Sequence, residues 1–163
     1  MKIFAIVGWS SSGKTTLITR LIENFKANQK RVIAVKSTRA GYALQPEAKD
    51  TARFLRAGAD EVYLVAENEL LRMTRLGDPQ DLVTELQAQL RPNDIVLLEG
   101  FCPPGIPVIE VEDPQRQKAM KFLPEKLAAV ITSAAAPCRL PCFHPDQIAA
   151  ICAFMEEYHE KQH

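Results

Sequence analysis

No stretch of this 163-residue sequence approaches the ~20 consecutive apolar residues that span a bilayer. A membrane role is therefore not expected. The apolar opening Met1 to Val7 is short, runs at once into a glycine loop and offers no small-residue cleavage site. It reads as a first buried strand, not a signal peptide, and a cytoplasmic location is expected. Net charge is lacking as well: 20 lysines and arginines balance 20 aspartates and glutamates. A neutral chain exerts no global pull on polynucleotides or anionic surfaces, so bulk nucleic-acid binding is not expected. Internal repeats, low-complexity tracts and linkers are also missing. The four cysteines are expected to be thiols in a reducing compartment. Cys138, Cys142 and His144 form a C-x3-C-x-H pattern that lacks the fourth ligand of a closed zinc site, and it reads as structural. Cys152 falls on an apolar helical stripe, where cysteine behaves as a small hydrophobe.

What is present is the balance of a soluble globular protein, 47% hydrophobic and 25% charged, at a length that suits one domain. Apolar runs alternate with amphipathic stretches, which predicts an α/β fold with a mostly parallel central sheet. Strands are expected at 2–7, 31–35, 61–65, 94–99, 107–111, 127–131 and, briefly, 140–143. Residues 70–75 alternate weakly and suit an edge strand. Helices are expected at 14–27, with Leu17, Ile18, Leu21, Ile22 and Phe25 on one face, and at 47–57, closed by Gly58. A third opens at Asp78-Pro79, aspartate as N-cap and proline in the first turn. A last helix starts near Pro145 and points Ile148, Ile151, Cys152 and Met155 inward.

Gly8-Trp9-Ser10-Ser11-Ser12-Gly13-Lys14-Thr15 fits G-x-x-x-x-G-K-[ST] at every fixed position, after a strand and before a helix. Glycines let successive backbone N–H groups point into one concavity, and the positive end of the next helix faces the same point. Lys14 can bridge the outer phosphates of a triphosphate, and the Thr15 hydroxyl can ligate the Mg²⁺ that those phosphates hold. Gly8, Ser10, Ser11, Ser12, Gly13, Lys14, Thr15 and Thr16 are thus candidate nucleotide contacts.

Ile95 to Leu98 is an apolar run ending in Glu99 and Gly100. In parallel α/β folds ligands lie at the carboxyl ends of strands, so Glu99 is the candidate for the metal side of the site and for polarising water. Lys36 ends the second strand and is expected at the same edge. Asp50 and Lys49 begin a helix, where a carboxylate reaches metal or water, or simply suits the helix N-terminus. Arg53, Arg56, Arg72 and Arg75 read as a wet surface rather than a phosphate clamp. Trp9 either covers the nucleotide or packs on the helix, and His144 suits a loop or N-cap better than catalysis.

Several segments together resemble the MobB family, the GTP-binding adaptors of molybdopterin-guanine dinucleotide biosynthesis. They are Gly8 to Leu17, Val35-Lys36-Ser37-Thr38, Lys49-Asp50-Thr51-Ala52-Arg53 through Ala57-Gly58-Ala59, Leu97-Leu98-Glu99-Gly100-Phe101, and Pro141-Cys142-Phe143 before the last helix. The resemblance covers nearly the whole chain in order. It implies a three-layer P-loop NTPase fold, a homodimer, GTP and Mg²⁺ as ligands, and weak GTPase activity. It also implies partnership with the nucleotidyltransferase that attaches GMP to molybdopterin, with the molybdopterin itself a possible ligand. Glu99 would be the strand-end acid and Asp50 the second-helix acid. The sequence departs from the family where histidines usually follow the second-strand lysine (here Ser37 and Arg39). It departs again at Cys102, commonly lysine, and at Thr132-Ser133-Ala134, where an acid often stands. The N-K-x-D guanine signature is absent. A small-molecule or nucleoside kinase and a non-hydrolysing nucleotide sensor share the phosphate loop and stay open as readings, although no arginine-rich lid is visible.

Overall fold

In the computed structural model, which describes residues 2–37, 49–74, 77–112, 119–134 and 140–159, the aliphatic runs become strands. These are β1 (Lys2–Gly8), β2 (Val32–Lys36), β3 (Glu61–Ala66), β4 (Glu69–Thr74), β5 (Ile95–Glu99), β6 (Val108–Val111), β7 (Leu127–Ile131) and β8 (Cys142–Phe143). The helices are α1 (Lys14–Ala27), α2 (Lys49–Ala57), α3 (Pro79–Gln89) and α4 (Ile148–Glu157). Two compact units result, one of Met1–Ser37 with Gln89–His163, the other of Thr38–Ala88.

The first unit is built on a six-stranded sheet in the order β2-β5-β1-β6-β7-β8, every pair parallel. Strands of a parallel sheet covered on both faces read as continuous apolar runs, and β1, β5 and β7 do. Ala5, Ile6, Val96, Leu97, Leu98 and Ile131 are fully buried. One core cluster joins Phe4, Ile6, Leu97 and Ile109 of the sheet to Leu17, Leu21 and Phe25 of α1 and to Ile151 and Met155 of α4. Arg20 of α1 pairs with Asp146 at 2.8 Å just ahead of α4. A smaller cluster on Ala5, Val7, Val108 and Val130 is closed by Cys102, Ile106, Met120 and Phe122. The parallel sheet, the α/β class and the strand–loop–helix phosphate motif thus agree with expectation.

At the opposite end of the strands, Asp94 is buried and clips three strands together. Its Oδ2 accepts the Arg91 amide at 2.9 Å and the Arg31 guanidinium at 2.6 Å, and its carbonyl accepts the Lys2 amide. Those donors hold its carboxyl below the usual carboxylate range: the Arg91 amide first, against the opposing effect of desolvation, then Arg31.

The second unit holds α2, most of α3 and a separate two-stranded sheet. Here the structure departs from a single sheet taking in 61–65 and 70–75. β3 and β4 pair with each other, antiparallel, from Glu61↔Thr74 to Ala66↔Glu69. The physical reason is the connection: two residues, Glu67 and Asn68, close a hairpin, whereas a parallel join needs a crossover of a dozen or more. Glu67 has φ +41°, the left-handed sense that tight hairpin turns need at their first central position. Arg72 pairs across the hairpin with Glu61 and reaches Glu85 of α3 at 2.5 Å. Asp78 caps α3 as expected, accepting the Gln80 amide at 2.7 Å while Asp81 accepts the Asp78 amide at 2.9 Å. Gly58, at φ +112°, ends α2 as its left-handed C-terminal residue. The helix expected from residue 47 begins outside the described residues.

Candidate functional site

Sheet order builds the site. β5 lies directly beside β1, in the register Ile6↔Glu99, and beside β2, in the register Lys36↔Glu99. The carboxyl ends of three strands therefore arrive together where the chain leaves β1 for α1, which is also where strand order reverses and ligands bind in such sheets.

The loop between β1 and α1 turns in left-handed steps. Ser11 has φ +63° and Gly13 φ +87°, and Gly13 is the N-cap residue of α1 with no side chain bonding the helix end. The first amides of a helix have no partner inside it, so the uncapped end of α1 presents N–H groups and the positive end of its dipole. Its first turn carries no acid to neutralise them. Gly8 is required for a different reason. A Cβ there would stand 2.4 Å from the Val111 carbonyl oxygen and 2.8 Å from Ser12 Oγ, with φ +148°. The backbone of the loop is thus seated against β6.

An open cavity of ≈ 460 Å³ lies over this loop, lined by Ser10, Ser11, Gly13, Lys14, Thr15, Thr16, Lys36 and Glu99. All eight are residues singled out from sequence. The other two loop candidates, Gly8 and Ser12, are not part of its lining, and Ser12 Oγ is buried with no hydrogen-bond partner among the described residues. Glu99 Oε1 is the hub: it accepts the Lys36 ammonium at 2.8 Å and the Thr15 hydroxyl at 2.9 Å. Burial acts to raise the Glu99 carboxyl, but the bonds from Lys36 and Thr15 and the charges of Lys36 and Lys14 outweigh it and hold it below the ordinary carboxylate range. Lys14 donates to the Trp9 carbonyl at 2.6 Å, and burial is the main cause of its lowered pKa.

Chemically this is a cradle for an anion with several oxygens. It offers helix-end amides, two ammonium groups and a hydroxyl–carboxylate pair of the kind that holds Mg²⁺ together with phosphates. No cluster of three or more His, Cys, Asp or Glu side chains able to hold a metal occurs among the described residues. A cation here would need the phosphates as co-ligands.

Asp50 sits in the first turn of α2, exposed, 3.4 Å from Arg53. It belongs to the second unit. Arg53 and Arg72 are in ion pairs, as a wet surface reading has it, and Arg75 and Arg39 lie outside the described residues. So does Cys138. Cys152 is buried, its thiol pushed up to about 12 by desolvation and, after that, by Glu156. His144 is a loop residue whose Nδ1 accepts the Asp146 amide at 3.3 Å. Sequence reasoning missed Glu110, which is 1% exposed on β6, and the segment 119–122 that reaches Trp9. For Glu110 the sequence offered only an acid inside an otherwise apolar strand, which does not tell a buried carboxylate from a solvated one.

The model of the MobB family, molybdopterin guanine dinucleotide synthesis protein B, matches residues 3–133. The chain is similar to a molybdopterin-guanine dinucleotide biosynthesis adapter protein of Haemophilus influenzae, 33% identical over 80% of this chain and 74% of that one. A crystal structure of molybdopterin-guanine biosynthesis protein B superposes with TM-score 0.68 at 28% identity, covering 94% and 97% of the two chains. The structure of Bacillus subtilis MobB gives TM-score 0.70 at 24% identity over 97% and 100%, a likeness of fold.

Proposed function

The chain belongs to the MobB family, and from that premise we propose that it is a Mg²⁺-dependent GTP-binding adapter of molybdopterin-guanine dinucleotide biosynthesis. In this reading it acts as a cytoplasmic homodimer beside the nucleotidyltransferase that joins GMP to molybdopterin. The observation that carries it is the uncapped N-terminus of α1 opening into a cavity rimmed by Lys14, Lys36, Thr15 and Glu99.

The residues divide the work as their chemistry dictates. Amides of the loop and of the first turn of α1 take phosphate oxygens. Lys14 leaves the Trp9 carbonyl to bridge the outer phosphates. Thr15 and Glu99 are the residues that would hold Mg²⁺, which would supply neutralisation of charge on those phosphates. Thr15 would ligate the ion and Glu99 would hold its water, while Lys36 keeps Glu99 ionised and aimed. Hydrolysis is slow in this account. No arginine lines the cavity among the described residues, and a stabilising arginine raises such rates ~10³–10⁵-fold.

Calorimetric titration of Mg²⁺-GTP and Mg²⁺-ATP into the native chain and Lys14→Ala tests the reading. GTP preference and a loss of about a hundredfold or more in the variant are expected, as for a lost charge-assisted clamp on a polyphosphate. Equal affinities of native and variant protein would contradict it. Efficient phosphoryl transfer from ATP to a nucleoside would favour a kinase instead.

A further inference from the structure

β6 is a short, wholly buried strand, and one of its four residues is a carboxylate. Burying Glu110 is costly unless its oxygens are satisfied. Both are satisfied by backbone eleven and twelve residues ahead: Oε1 accepts the Lys121 amide at 2.6 Å and Oε2 the Phe122 amide at 3.1 Å. Glu110 therefore fixes the strap 119–122 against the sheet. It does so beside the phosphate loop, since Gly8↔Val111 is the adjoining register.

The strap meets the loop at Trp9. The indole N–H donates to the Ala119 carbonyl at 2.9 Å, and the Lys121 ammonium stands 4.9 Å from the Trp9 ring centroid. Trp9 in turn holds Lys14 through its carbonyl. Lys121 is close enough to Lys14 to help lower its pKa, after burial and ahead of Lys36. Lys14, Lys36 and Glu99 line the cavity, and Lys121, outside that lining, is carried on the Trp9 ring of the same loop. Reaching the cavity from Trp9, Lys121 would join Lys14 and Lys36 as a third ammonium group beside Glu99. That arrangement is self-repelling without an anion and complementary to one with several charges.

We propose that Lys121 is a third cationic contact of the phosphate site, positioned by Glu110 and Trp9 to take an oxygen of the terminal phosphate of a bound nucleoside triphosphate. The inference rests on the triphosphate reading above. The terminal phosphate is chosen because Lys121 stands on the ring of Trp9, whose carbonyl holds Lys14, and the reach of Lys14 in such loops is to the outer phosphates. Glu110 is a positioning residue, acting through the strap and not on the nucleotide.

The test titrates Mg²⁺-GTP and Mg²⁺-GDP into the full chain and into Lys121→Met, Lys121→Arg, Glu110→Gln, the Lys121→Met/Glu110→Gln double variant and Lys14→Ala. Calorimetry gives affinity, and emission of the single tryptophan, Trp9, reports the strap. Methionine keeps an apolar stem on the indole and removes only the charge. Lys121→Met is expected to weaken GTP about tenfold and GDP much less, the size of one lost charge-assisted bond. Lys121→Arg should restore the difference. Glu110→Gln should weaken GTP in the same sense and add little once Lys121 is methionine, as coupled residues do. If Lys14→Ala loses GTP while Lys121→Met binds GTP as the native chain does, the Lys121 contact is overturned and the triphosphate reading stands. An equal loss for GTP and GDP in Lys121→Met also overturns it, leaving a structural role. If Lys14→Ala and Lys121→Met both bind GTP natively, the triphosphate reading falls and the contact with it.

Discussion

Replacing Gly8 by alanine isolates what seats the phosphate loop. The new Cβ would lie 2.4 Å from the Val111 carbonyl oxygen and 2.8 Å from Ser12 Oγ. The first contact is with backbone of β6, inside the sheet, where nothing yields cheaply; forcing atoms into a packed site costs about 1–3 kcal/mol. The dihedral adds to this, since φ is +148° and an L side chain there is strained by about 1–3 kcal/mol. The sum is about 2–6 kcal/mol, a large share of the ~5–15 kcal/mol that holds a domain together. At ~2–4 °C per kcal/mol for a chain of this size, the melting temperature should fall by roughly 4–24 °C. Gly13→Ala is the control. Gly13 is also left-handed, at φ +87°, but its added Cβ would meet nothing within 4 Å. Only the dihedral cost of about 1–2 kcal/mol applies there. Differential scanning calorimetry of both variants without nucleotide separates the two effects. Equal losses for Gly8→Ala and Gly13→Ala would refute the argument that the loop is seated against β6.

Three further outcomes follow from local geometry. Glu99 is held below its ordinary pKa, so its bonded ionised form contributes stability that is full above about pH 4.3, the unfolded value, and is lost as pH falls through the folded value. The stability gap between the native chain and Glu99→Gln in urea titrations should therefore narrow on acidification below that point; a gap constant with pH would contradict it. Asp78→Ala removes the cap of α3 and should cost about 1 kcal/mol, seen as roughly fivefold faster hydrogen exchange of α3 amides; unchanged exchange would count against the cap. Cys152, buried and with its thiol pushed up to about 12, should resist iodoacetamide in native buffer at neutral pH and react on denaturation. Peptide mapping that finds it alkylated in the native chain would contradict its burial.

Much of this was legible because it is local. The phosphate loop is a contiguous signature between a strand and a helix, and α1 and β7 keep the expected bounds, Lys14–Ala27 and Leu127–Ile131. The convergence of Glu99 and Lys36 was legible at one remove. Each ends a strand, and a parallel sheet collects strand ends at one edge. Alternation alone does not say which neighbour a strand takes, and so 61–65 and 70–75 were not separable from the main sheet until their two-residue connection was seen to close a hairpin. Glu110 was opaque for a related reason. An acid in a strand has no sequence mark distinguishing a solvated side chain from a buried one, and its partners are main-chain amides, which every residue but proline carries. Trp9 posed two alternatives, and the answer depends on the segment 119–122, more than a hundred residues away in sequence.

Where the phosphates sit is the question on which the account turns. A crystal structure of the chain soaked with Mg²⁺ and a non-hydrolysable GTP analogue answers it directly. Phosphate density is expected in the cavity lined by Ser10, Ser11, Gly13, Lys14, Thr15 and Thr16, with Lys14 drawn off the Trp9 carbonyl onto the phosphate oxygens. Ordered nucleotide at another surface, with Lys14 still on that carbonyl, would contradict it.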